Sequence, residues 1–189
     1  MMSGKIIMLN GASSSGNSTV AKALQEIMPE PFWHVSFDQF VDAEVLPPRQ
    51  ESGPFAWWTV TRPLVFDAFH RCVPVISTAG NNVIVEHVFE FERWVRDLVL
   101  LLHGFDVFLV GVHCPLDELE RRERLRGDRR VGEGREHLKV VHSHGRYDFE
   151  IDTFLRSSQE NARLILEAWT SRSKPSAFDD LGESLVQDN

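Results

Sequence analysis

The chain has 189 residues, room for one α/β domain and too little for two comfortable ones. Hydrophobic residues make up 42% and charged residues 25%, ordinary for a domain with a full core. A formal charge of −8 argues against a general binder of nucleic acid or anionic membranes, which both call for a basic surface. A small polyanion could still sit in one locally basic pocket.

No run of about 18 apolar residues is present, so no membrane span is expected. The opening MMSGKIIMLNG is too short for a secretory signal with its cleavage site. Cys72 and Cys114 are far apart and form no C-x-x-C pair, so neither a zinc site nor a disulfide framework is suggested, and a cytoplasmic protein is expected.

In chain order, Lys5–Leu9 is a short apolar run of the kind found in a buried parallel strand. Ser18–Met28 places Val20, Ala23, Leu24 and Ile27 on one helical face, and Pro29 and Pro31 stop it. Trp33–Phe37 reads as a second strand ending at Asp38. Residues 39–59 read as irregular, with Phe55, Trp57 and Trp58 either lining an acceptor pocket or packing as core. A helix is expected over Thr61–Thr78, bent or interrupted by Pro74. Val83–Val85 is a third strand closed by Glu86, Glu90–His103 an apolar helix, and Val107–Val112 a fourth strand. Leu116–Arg126 is a charged helix, Gly127–Arg135 a mobile-looking glycine-rich segment, Phe149–Ile151 a fifth strand and Ser158–Arg172 a last helix. Residues 173–189, acidic and without a basic residue after Lys174, read as a loosely held tail. Strands alternating with helices predict a three-layer α/β/α domain over residues 1–172, with a five-stranded parallel sheet of the P-loop kinase type.

The chemistry centres on residues 11–18, G-A-S-S-S-G-N-S, followed by Thr19. The phosphate-loop pattern G-x-x-x-x-G-K-[ST] is met at Gly11, Gly16 and Ser18 and broken at Asn17. Glycines let backbone N–H groups converge on phosphate oxygens, and the following helix adds its dipole. Gly11, Ala12, Ser13, Ser14, Ser15, Gly16, Asn17, Ser18 and Thr19 are therefore the candidate ATP-binding residues, with Ser18 placed to ligate Mg²⁺. A lysine at position 17 would neutralise charge on the β- and γ-phosphates; Asn17 supplies a hydrogen bond and no charge.

Asp38 stands at the carboxyl end of a strand, where open parallel sheets bind ligands, and suits the base for an acceptor hydroxyl. Glu86 ends the strand VIVE, as an acid supporting Mg²⁺ would, and His87 follows it. The stretch RRERLRGDRR concentrates positive charge. Acidic neighbours at i+3 and i+4 account for a solvated helix face, but not for the arginines flanking Gly127-Asp128. A lid over about 127–137, with Arg126 or Arg129 on the transferring phosphate, would compensate for Asn17. His137, His142 and His144 lack a recognisable metal-ligand framework.

These motifs together resemble the chloramphenicol phosphotransferase-like family over residues 5–170: IIMLNGASSSGNST, Phe37-Asp38, VIVEHVF, VGVHC, RLRGDR and VVHSHGRYDFEIDT in order. The resemblance implies transfer of the γ-phosphate of ATP, with Mg²⁺, to a hydroxyl of a small molecule, antibiotics such as chloramphenicol included. It implies Asp38 as base and Arg126 and Arg129 in the lid. Asn17 in place of lysine, and Glu86-His87 in place of a pair of aspartates, depart from the family pattern. The alternative is a nucleotide-binding protein with little or no transfer because of Asn17. A nucleic-acid acceptor fits the acidic charge poorly, and a homo-oligomer is left open.

Overall fold

The computed structural model describes residues 3–127, 131–144 and 146–187. Five strands, β1 (Ile6–Gly11), β2 (Phe32–Ser36), β3 (Asn82–His87), β4 (Val107–His113) and β5 (Phe149–Asp152), form one parallel sheet in the order β2-β3-β1-β4-β5. Every residue of β1 is buried, because it is paired on both edges and covered on both faces. That explains its unbroken apolar run. The chain moves outward from β1 to β2, returns to β3, then crosses β1 to reach β4 and β5. The switch point of the sheet thus lies at β1, whose carboxyl end carries the glycine-serine loop.

Helices cover both faces. On one, Ile6, Met8, Val83 and Val85 pack against α3 (Arg62–Thr78) and α4 (Glu92–Leu101) through Phe66, Phe69, Trp94 and Leu98. On the other, Ile7, Leu9 and Ile84 meet α1 (Asn17–Ile27) and α7 (Ser158–Thr170). The remaining helices are α2 (Phe37–Asp42), α5 (Leu116–Arg126), α6 (Glu133–Leu138) and α8 (Ala177–Gln187). The expected three-layer parallel architecture is found.

Several local expectations are corrected. β2 stops at Ser36, because Ser36 and Gln39 form a reciprocal capping box that opens α2 at Phe37. Pro74 lies inside a continuous α3; Phe66, Phe69 and Val73 anchor that helix in the core and outweigh the lost backbone hydrogen bond. A π-helical turn, Trp57–Thr61, precedes α3. Part of the segment expected to be mobile is α6, while 128–130, including Arg129, lie outside the described residues. Where a loose tail was expected, α8 packs against the sheet. Ser176 accepts from the Asp179 backbone N–H at 3.2 Å while donating to its carboxylate, and Asp148 receives the Ala177 N–H at 2.6 Å. Phe178 is buried, a contribution of about 1.5–3 kcal/mol for a side chain of that size.

Candidate active site

The loop between β1 and α1 turns on glycines with specific tasks. Gly16 has φ 101°, a left-handed geometry that costs a residue with a Cβ far more. A Cβ on Gly11 would stand 2.6 Å from Ser15 Oγ and 2.7 Å from the Val112 carbonyl. Asn17 folds back into this loop. Its Nδ2 donates to the Gly11 carbonyl at 3.2 Å and the His87 carbonyl at 3.4 Å, and Ser15 Oγ donates to its Oδ1 at 3.3 Å. Asn17 therefore braces the base of the loop.

Strand register brings the acids alongside. Glu86 lies opposite Leu9 on one side and Ser36 on the other. Its two carboxylate oxygens have separate partners: Ser18 Oγ donates to Oε2 at 2.7 Å, and His34 Nε2 contacts Oε1. Gln39 Nε2 sits 3.4 Å from His34 Nδ1, while Gln39 Oε1 accepts from the Ser36 N–H. The amide thus donates to Nδ1, which leaves the His34 proton on Nε2, aimed at Glu86. Ser18 and Glu86 supply hard oxygen donors, a set that suits Mg²⁺, with His34 orienting the carboxylate from behind. Sequence reasoning missed His34; only the pairing of β2 with β3 reveals it.

Arg122 was also missed as an individual. Its Nη1 donates to the Ser15 carbonyl and Thr153 Oγ1 at 3.1 Å each and to the Ser14 carbonyl at 3.4 Å, and Nη2 to the Thr153 carbonyl at 2.9 Å. Glu118 receives its Nε at 2.7 Å; Arg121, then Arg122, hold that carboxyl down to about 2. Arg122 so staples α5 to the back of the loop. His137 of α6 accepts the Ser13 N–H through Nδ1 at 3.1 Å, and burial holds its pKa low.

One cavity of about 680 Å³ joins these parts. Asp38, in the first turn of α2, lines it with the loop, Glu86 and Arg126. Its far end is aromatic: Phe37, Phe66 and Trp94 stack in sequence, each step 4.2 Å between centroids. Trp57, which is buried, and Trp58, which is exposed, also line it. Phe55 is exposed and is not among the lining residues.

His87 reaches the α3–α4 side, where its Nε2 lies 2.7 Å from His70 Nε2, a distance that admits one shared proton. Burial brings His70 down to about 4, opposed by Asp97 and Asp67, and burial followed by His70 holds His87 well below its usual range. Unfolded, His70 titrates near 6.5. Between those two values the unfolded chain binds more protons, so stability present above pH 6.5 is lost as pH falls toward 4. The effect of this one residue is on the order of 3 kcal/mol. Thermal melts should show the decline over that interval, and His70→Phe should flatten it whatever its effect on absolute stability. An unchanged slope would remove His70 as the source.

His142 and His144, like His137, serve separate partners, the Tyr147 hydroxyl at 2.7 Å and the Phe89 carbonyl at 3.0 Å. Among the described residues no group of three His, Cys, Asp or Glu could hold a metal ion.

The chain has relatives in sequence and in fold. The family model described as chloramphenicol phosphotransferase-like protein matches residues 4–170. Two curated Mycobacterium tuberculosis proteins, from strains CDC 1551 and H37Rv and provisionally named O-phosphotransferases, are each 34% identical over 207 residues, covering 98% of this chain and 91% of theirs. Among solved structures, the M. tuberculosis APS kinase in complex with AMPPNP and APS superposes with a TM-score of 0.66 at 19% identity, over 90% of this chain and 100% of that one. Shikimate kinase from Acinetobacter baumannii in complex with shikimate gives 0.60 at 14% identity, over 89% and 94%. These two structures establish a kinase fold. With the family model spanning most of its length, the chain belongs to the chloramphenicol phosphotransferase-like family.

Proposed function

We propose that this protein transfers the γ-phosphoryl group of ATP to a hydroxyl of a small molecule. The observation that carries the reading is the shared cavity: phosphate loop, Asp38 at the start of α2 and aromatic compartment open on the same space. Residues Gly11–Thr19 cradle the phosphates through backbone N–H groups. Asp38 takes the proton of the acceptor hydroxyl as its oxygen attacks the γ-phosphorus, and the bond to the β-phosphate oxygen breaks to release ADP. Ser18 and Glu86 would hold Mg²⁺, which supplies charge neutralisation across the phosphates when bound. Arg126, the last residue of α5, acts on the transferring group beside a lid over about 127–137 that carries Arg129. No described helix is long and apolar enough to cross a membrane. Hydroxylated antibiotics such as chloramphenicol belong in the acceptor panel.

A coupled ADP-release assay across hydroxylated acceptors tests the reading. Acceptor-dependent release with phosphorylated product supports it, and ATP binding with no acceptor-stimulated release across the panel overturns it. The second outcome would favour a nucleotide-binding protein without transfer, a reading that draws on the engagement of Asn17 with Gly11 and His87.

His34→Ala should raise the Mg²⁺ concentration for half-maximal activity about 10- to 100-fold, because a carboxylate without its orienting partner binds metal less well. Titration of Mg²⁺ at saturating ATP measures this. An unaltered Mg²⁺ dependence would make His34 a packing residue only.

A further inference from the structure

The acceptor end of the cavity carries two arginines on aromatic platforms, and they differ in what neutralises them. Arg62, at the start of α3, is nearly buried; its guanidinium lies 5.0 Å from the Phe66 and Trp94 rings and 5.4 Å from Trp58. It pairs with Glu90, so its charge is met. Arg49 is exposed and stands 4.6 Å over the ring of buried Trp57. The segment holding it is closed by a bridge between Gln50 and Ala56 and by the Trp57 N–H donating to the Gln50 carbonyl at 2.7 Å. Among the described residues Arg49 has no carboxylate partner. Both arginines line the cavity with Asp38.

A guanidinium held over an indole face is confined in position, and its N–H groups remain available for a flat oxyanion. An ammonium-bearing acceptor would meet repulsion from Arg49, whose charge, unlike that of Arg62, no described carboxylate meets. An uncharged one would leave the Arg49 edges to water and gain only the aromatic walls. We propose that the acceptor carries an oxyanion, carboxylate or phosphate, in addition to the hydroxyl presented to Asp38, and that Arg49 is the residue selecting it, with Arg62 contributing field. This rests on the phosphotransfer reading and narrows it to hydroxylated anions, setting uncharged antibiotics aside. In a chain of net charge −8, the one guanidinium here without a described carboxylate partner opposes locally the repulsion the rest of the surface exerts on such an acceptor.

The test is binding, read by ligand-observed NMR or calorimetry with a non-hydrolysable ATP analogue and Mg²⁺ present. Mandelate is compared with mandelamide, a near-isosteric change of charge, and glycerol 3-phosphate with glycerol, which removes the whole phosphoryl group; each pair keeps a hydroxyl. The anion of at least one pair should bind ten-fold or more tighter than its neutral partner and weaken as salt rises. Which pair discriminates separates carboxylate from phosphate recognition. Arg49→Gln should shrink that preference to three-fold or less, and Arg49→Lys should retain much of it. Equal binding within both pairs, no binding by any of the four, or a preference untouched by Arg49→Gln would each overturn the proposal. No transfer enters these measurements, so their outcome is distinct from failure of the ADP-release assay. Conversely, turnover of neutral acceptors alone would leave phosphotransfer standing and remove the anion.

Discussion

Asp38→Asn should lower acceptor-stimulated ADP release about 10²- to 10⁴-fold, the range associated with loss of a positioned base. The substitution keeps the shape of the side chain and changes its capacity to take a proton. Asp38 lies in the first turn of α2, whose start is secured by Ser36 and Gln39. Removing its charge forfeits a favourable term with the helix dipole, about 0.3–1 kcal/mol, so the fold should survive with a small drop in melting temperature. Calorimetry should still find ATP bound. Turnover equal to that of the unaltered protein would take Asp38 out of the mechanism.

The second large effect runs in the opposite direction. Asn17→Lys should raise turnover about 10²- to 10³-fold, the scale on which preorganised charge at a transition state acts, and tighten ATP binding. The cost is local. The donation of Asn17 to the Gly11 and His87 carbonyls, at 3.2 and 3.4 Å, is lost, and each such neutral bond contributes about 0.5–1.5 kcal/mol. Single-turnover kinetics with the acceptor that performs best in the panel would separate a gain in chemistry from a gain in affinity. No change in a protein that does turn over would assign the compensating charge to the arginines of α5 and the lid. Arg122 contributes positive charge from behind the loop, but the described hydrogen bonds of its guanidinium go to protein oxygens, so it positions the loop rather than reaching the phosphates.

What could be read in advance follows a physical division. Strands β1, β3 and β4 are continuous apolar runs, a signal local to a few residues, and the glycines of the loop are required by backbone geometry that no other residue supplies as cheaply. The short α2 was hidden because Trp33–Phe37 favours strand, although the Ser36–Gln39 capping pair was present to be seen. The helix α8 was hidden by its acidic composition. Its buried face begins with Ala177 and Phe178, and Ser176 with Asp179 is a cap signal that charge counting overrode. His34 and Arg122 belong to a different class. What distinguishes them is a partner 52 residues away in one case and more than 100 in the other, information that exists only once strands have paired and α5 has docked.

The position of α8 bears on how the chain is made. Phe178 shares a core cluster with Phe66, Phe69 and Trp94, the residues that wall the aromatic compartment. During synthesis the phosphate loop and its strand leave the ribosome well before Phe178, on which this cluster waits. The acceptor wall should therefore gain its final packing after the nucleotide half has formed, and a nascent chain stalled before Phe178 would present an unfinished apolar face to chaperones.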